Sequence, residues 1–89
     1  MADYWGVYIV ECADGTLYTG VTKWLVKRLE RHNAGKGAKY TRGRTPVVLV
    51  AYVGGMTRSE ALRLERLVKR QPKAKKVDFL KEFKSWSMV

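Results

Sequence analysis

The stretch that decides the fold runs Gly6-Val7-Tyr8-Ile9-Val10-Glu11-Cys12-Ala13-Asp14-Gly15-Thr16-Leu17-Tyr18-Thr19-Gly20. Two segments rich in β-branched and aromatic residues flank Asp14-Gly15, the pattern of a β-hairpin. Each segment carries a tyrosine and a glycine: Gly6-Val7-Tyr8 on the way in, Tyr18-Thr19-Gly20 on the way out. Loop length decides whether the two tyrosines can work together. A two-residue loop sets Tyr18 opposite Glu11 and points the two rings to opposite faces of the sheet. A three-residue loop, Ala13-Asp14-Gly15, sets Cys12 against Thr16 and Tyr18 against Val10. Tyr8 and Tyr18 then share a face as diagonal neighbours, about 7–8 Å apart at the backbone. Gly15 would take the left-handed position such a loop needs, which glycine adopts without steric cost. The shared face is the expected arrangement.

Composition bounds the rest. The chain has 89 residues and is 46% hydrophobic, enough for the core of one small domain spanning residues 1–89. A single cysteine excludes an internal disulfide, and Cys12 inside a strand reads as a small buried hydrophobe. No apolar run is long enough to cross a membrane, and Met1-Ala2-Asp3 begins no signal peptide. The expected compartment is therefore the cytoplasm, with no membrane partner. Lys and Arg number 18 against 8 Asp and Glu, a net charge of +10. A domain this basic most often faces a polyanion, DNA first and RNA as the alternative. Ribosome association and simple solubility are the alternatives, and charge alone gives a partner class and no chemistry.

After the hairpin, Thr22 offers an N-cap, and residues 24–34 read as a helix ended by Asn33-Ala34-Gly35. Leu25, Leu29 and His32 fall at i, i+4 and i+7, one face of that helix. Arg28 is one turn from His32 and borders the same stripe, whereas Lys27 and Arg31 read as solvated charges. From Gly35 to Arg44 the chain is a basic, glycine-bearing loop. Lys36, Lys39, Arg42 and Arg44 interleave there with Tyr40 and Thr41, a mixture suited to a sugar-phosphate backbone and a stacked base. No Walker spacing is present. Residues 47–53 are apolar throughout, which predicts a strand buried on both faces in the middle of a layered α/β arrangement and closed by Gly54-Gly55.

Thr57-Arg58-Ser59-Glu60 is a capping box opening a helix that runs to about Arg70. Ala61, Leu64, Leu67 and Val68 form its apolar arc, and Glu65 falls at the edge beside Ala61. The capping box explains Glu60; nothing local explains Glu65. A carboxylate at an apolar edge must be paired or bound to a metal, and a salt bridge to a nearby Arg and a metal role are both open. A last helical pattern places Val77, Phe79, Leu80 and Phe83 inward. The order is β-β-α-β-α-α, an α/β domain with a small three-stranded sheet and flanking helices.

Gly6-Val7-Tyr8 and Tyr18-Thr19-Gly20, followed in order by Arg28, His32 and Glu65, resemble the GIY-YIG nuclease domain. The likeness is greatest to its small stand-alone bacterial members, related to junction-cutting endonucleases and to the N-terminal nuclease domain of UvrC. Val7 and Thr19 replace the isoleucines of the name-giving motif. The resemblance implies metal-dependent hydrolysis of DNA phosphodiesters, with Mg2+ or Mn2+, on branched or damaged DNA in repair or recombination. Because only Glu65 is unexplained by a turn or cap, one divalent cation is expected. The resemblance assigns Glu65 to the metal, Tyr8 to activating or orienting the attacking water, and Tyr18 to the phosphate or the water beside the ion. Arg28 would stabilise charge on the phosphate, with His32 assisting from the same face. Some relatives carry a late Asn in the site; the only asparagine here is Asn33. Larger relatives also carry targeting domains, so a targeting protein partner is an expectation for this chain. The alternative is a nucleic-acid-binding module of the same fold with little or no catalysis.

Overall fold

A computed structural model describes residues 4–83 of the chain. Its elements are β1 (Trp5–Glu11), β2 (Leu17–Thr22), α1 (Leu25–Asn33), a short 3-10 turn (Lys39–Thr41), β3 (Val48–Met56), α2 (Arg58–Lys69) and α3 (Lys73–Glu82). The three strands form one antiparallel sheet in the order β2-β1-β3.

The hairpin closes through the three-residue loop. The Cys12 N–H donates to Thr16 O at 2.8 Å, and the Gly15 N–H returns to Cys12 O at 2.9 Å. Gly15 holds φ 84°, the left-handed value this turn requires. Tyr18 accordingly stands opposite Val10, and Gly20 opposite Tyr8. Asp14 braces the turn by accepting from the Thr16 N–H and hydroxyl, at 3.1 and 2.6 Å.

The central strand is β1, not β3. Gly6 through Val10 are all buried. Val7 and Ile9 face α2 and α3 with Ala51, Met56, Ala61, Leu64, Val68 and Leu80, while Tyr8, Val10 and Cys12 face the α1 side with Val47, Leu25 and Leu29. The expectation of a third strand buried on both faces is overturned. β3 lies at the sheet edge, where Val48 and Tyr52 remain 61% and 41% exposed. Gly54-Gly55 does not end β3 either, which continues to Met56.

Helix α1 begins one residue later than expected, and Thr22 is not its N-cap. Trp24 holds that position without a side-chain acceptor, and Thr22 instead closes β2 and takes the Trp24 N–H on its hydroxyl at 3.0 Å. The helix ends as the sequence predicts. The Lys36 N–H reaches Arg31 O and the Gly35 N–H reaches His32 O, a Schellman pair made possible by φ 76° at Gly35. Asn33 serves the architecture. Its amide donates to Val47 O and accepts the Val47 N–H at 2.6 Å, pinning α1 to the approach of β3. The Thr57–Glu60 capping box opens α2 as predicted, with both reciprocal bonds formed. Among the described residues no helix is long and apolar enough to cross a membrane.

Candidate active site

Tyr8 lies at the centre of the α1 side of the sheet, fully buried, and its ring rests on Gly20. A Cβ at Gly20 would stand 2.6 Å from the Tyr8 hydroxyl oxygen and 2.7 Å from Cζ. Close approach therefore requires the glycine of Tyr18-Thr19-Gly20. Gly6 meets a parallel demand, since a Cβ there would lie 2.5 Å from the Tyr52 ring. The Gly20→Ala chain is expected to lose about 1–3 kcal/mol of stability as the new methyl displaces the Tyr8 ring. Thermal denaturation would read this as a drop of about 4–8 °C for each kcal/mol in a domain this size.

Around the Tyr8 hydroxyl the expected residues converge. Arg28 Nε donates to it at 3.1 Å, and His32 Nε2 lies 2.8 Å away. His32 is buried by α1 and by the following loop, where a Cβ at Gly37 would strike its ring. The other His32 nitrogen, Nδ1, meets the Thr41 hydroxyl at 2.8 Å, and that hydroxyl donates its single proton to Ala38 O at 2.9 Å. Thr41 must then accept from Nδ1–H, so in neutral His32 it is Nε2 that lacks a proton and accepts from Tyr8. The directed chain is Arg28 to Tyr8, Tyr8 to His32, His32 to Thr41, Thr41 to the backbone. Tyr18 completes the group, its ring 6.3 Å from Tyr8 and 5.4 Å from His32 between centroids.

Electrostatics agree with this assignment. Burial and then the Arg28 charge hold the His32 pKa below its ordinary value of 6.5, so the imidazole is neutral at physiological pH. Burial raises the Tyr8 pKa, against the opposing bond and charge of Arg28, so Tyr8 keeps its proton. For Arg28, burial is the largest single influence and disfavours the charge, but the interactions with Tyr8 and Tyr18 together outweigh it, and the guanidinium stays charged. A depressed His32 pKa makes the unfolded chain bind the proton more readily. Its stabilising contribution is present above pH 6.5 and is lost as pH falls from there through the lower folded value. Thermal denaturation from about pH 7.5 downward should show this loss in the native chain and a flatter profile in His32→Asn.

Glu65 projects from α2, with 17% of its side chain exposed, and pairs through Oε2 with Lys69 Nζ at 3.3 Å. The partner is thus a lysine one turn on, where the sequence suggested an arginine. Its charge acts on Tyr8, whose pKa it helps to raise. Among the described residues no three His, Cys, Asp or Glu gather in a way that could hold a metal ion. Glu65 could hold a divalent ion here, with water and substrate oxygens completing its shell. That hard-oxygen donor set is the ordinary one for Mg2+.

The basic loop divides. Lys36, Lys39 and Arg42 are exposed, and Tyr40 is 41% exposed and stacked on Tyr18 at 6.0 Å. Arg44 lies over the Tyr40 ring at 4.3 Å, bonds Tyr40 O and pairs with Asp14 at 2.9 Å, tying the loop to the hairpin. Thr41, grouped with the surface contacts on sequence grounds, is wholly buried and belongs to the His32 chain. A sequence signal for that role existed: a buried histidine needs a partner for each ring nitrogen, and a hydroxyl nine residues on can supply one.

The sequence profile described as the GIY-YIG catalytic domain matches residues 4–87. A UPF0213 protein of Haloquadratum walsbyi is 52% identical, with 92% of each chain covered. A UPF0213 protein of Nitratidesulfovibrio vulgaris is 48% identical over 84% of this chain and 68% of its own. Two solution NMR structures also match. A UPF0213 protein of Bacillus halodurans is 47% identical, covering 84% of this chain and 80% of its own, at TM-score 0.53. A protein of E. faecalis is 36% identical, covering 91% and 85%, at TM-score 0.60. The chain belongs to the GIY-YIG catalytic domain family, a nuclease fold, and its relatives are small stand-alone members.

Proposed function

We propose that this domain is an endonuclease hydrolysing DNA phosphodiester bonds with one divalent cation, on branched or damaged DNA in repair or recombination. The observation that carries the reading is the directed hydrogen-bond chain through Tyr8, with a charged guanidinium on one side and a neutral imidazole on the other. A Mg2+ or Mn2+ ion held by Glu65 would supply Lewis-acid charge to the phosphate oxygens. The chain's own groups do the rest. Tyr8 takes a proton from the attacking water on its oxygen while passing its own proton to His32 Nε2; the water oxygen bonds to phosphorus as the bond to the leaving sugar oxygen breaks, and that oxygen takes a proton from solvent. The imidazolium that results donates from both nitrogens, back to Tyr8 and onward to Thr41, so no hydrogen bond is sacrificed. Arg28 holds positive charge where negative charge grows on the phosphate. Tyr18 offers a hydroxyl to the phosphate from the same face. Lys36, Lys39, Tyr40 and Arg42 would receive the flanking backbone, with Arg44 and Thr41 supporting them from below. Solution within the cytoplasm and delivery by a targeting protein both suit a domain of this size and charge.

The alternative is a binding module of the same fold, and it shares every residue above. A labelled panel separates them: single strand, duplex, flap, fork and four-way junction, each in Mg2+ and in Mn2+. Glu65→Gln and Arg28→Ala run alongside to exclude a contaminating nuclease. Metal-dependent cutting lost in both variants is the expected result. Binding that survives EDTA, weakens steeply with salt and is followed by no cutting in either metal would establish the module instead.

A further inference from the structure

Trp24 leaves 65% of its surface to solvent at the start of α1. Single exposed apolar side chains are ordinary, but this one joins exposed Val26 and part-buried Leu25 in an apolar patch bordered by cations. The Lys23 ammonium lies 6.0 Å from the Trp24 ring centre and 5.9 Å from that of Trp5, and the Arg58 guanidinium lies 5.6 Å from Trp5. A shallow groove there is lined by Lys23, Trp24, Leu25, Val26 and Lys27. The first turn of α1 carries no acidic residue. An indole face set among cations suits a ligand that is both aromatic and anionic.

Its position relates it to the Tyr8 cluster. The Arg28 N–H donates to Trp24 O at 2.9 Å, which places Trp24 one helical turn before the guanidinium that touches Tyr8. Side chains one turn apart stand about 5–6 Å from each other at Cβ. Bases in an intact duplex are stacked on their neighbours and offer an indole no free face. An unpaired base does.

We propose that Trp24, flanked by Lys23 and Lys27, is a stacking platform for an unpaired base of a nucleic-acid strand, close along that strand to the phosphate received by Arg28 and Tyr18. The placement of that phosphate rests on the nuclease reading, whereas the stacking itself is measurable without cleavage. The platform makes strand opening a recognition feature, favouring flaps, forks and junctions over continuous duplex.

The test is fluorescence anisotropy in EDTA, so that no cutting occurs, with a labelled single strand and the duplex of the same sequence. Trp24→Ala is exposed enough to fold, and circular dichroism checks that it does. Single-strand affinity should fall about tenfold or more, with duplex affinity within twofold of the native chain. Trp24→Phe should recover most of the loss, and the salt slope should be unchanged by Trp24→Ala but shallower in Lys23→Gln and Lys27→Gln. Single-strand affinity untouched by Trp24→Ala, or equal losses on single strand and duplex, would overturn the platform. If the native chain binds and cuts but is indifferent to Trp24, only the platform fails. If it binds no nucleic acid at all, the nuclease reading fails with it.

Discussion

Tyr8→Phe is expected to cleave DNA about 10²–10⁴-fold more slowly, the range that one positioned proton-transfer group contributes, while binding it as the native chain does. The ring stays, so the packing over Gly20 stays. Only the oxygen goes, and with it the acceptor of Arg28 Nε and the donor to His32 Nε2. Arg28 is part-exposed and finds water. His32 is wholly buried, and its orphaned nitrogen should lower stability by about 1–3 kcal/mol. Activity must therefore be compared well below the melting point of the variant. DNA affinity is the control, because Tyr8 is buried and the cations around it are unchanged. A Tyr8→Phe chain that cuts within a few fold of the native rate would remove Tyr8 from the proton path and leave His32 as a packing residue. The pH profile sharpens the test: native cleavage should decline in acid as His32 gains a proton and can no longer accept from Tyr8. In Tyr8→Phe the residual rate should lose that limb.

The parts of this architecture that were legible in the sequence depend on neighbours close in the chain. The three-residue turn, the Schellman end of α1 at Gly35 and the capping box of α2 each follow from a few adjacent residues. So does the shared face of Tyr8 and Tyr18, once the loop length is known. What was misread depends on coverage by distant elements. Residues 47–53 are as apolar as a central strand, yet whether an apolar strand is central depends on what packs beside it. Here β1 takes the middle, and β3 presents Tyr52 to cover Gly6 and Gly54. Thr22 looked like a cap because threonine caps helices, but β2 claims it and leaves Trp24 at the helix start. Thr41 sat among basic residues and read as one more surface contact. Only the path of the loop, folded back over His32, shows its hydroxyl turned inward.

The second large effect concerns Glu65, and it is a test of charge alone. Glu65→Gln keeps the side chain's size and its place at the edge of the α2 apolar arc while removing a carboxylate whose field reaches Tyr8. Metal-dependent cleavage should fall by at least the roughly 10²–10³-fold typical of removing one group that stabilises transition-state charge. The ion pair with Lys69 accounts for little of this. That ammonium is 53% exposed, and an exposed pair one turn apart on a helix contributes about 0.3–0.5 kcal/mol. Stability should therefore barely change, which separates this variant from Tyr8→Phe. DNA affinity in EDTA should hold or rise, since an anion has left a surface that meets phosphate. Mn2+ titrated into the protein–DNA complex gives a readout that does not need turnover: the native complex should bind the ion more tightly than the variant complex. If Glu65 is the ion's ligand, no group of three or more His, Cys, Asp or Glu among the described residues is placed to replace it. Equal cleavage by Glu65→Gln and the native chain would put the ion elsewhere, and would reduce Glu65 to the partner of Lys69.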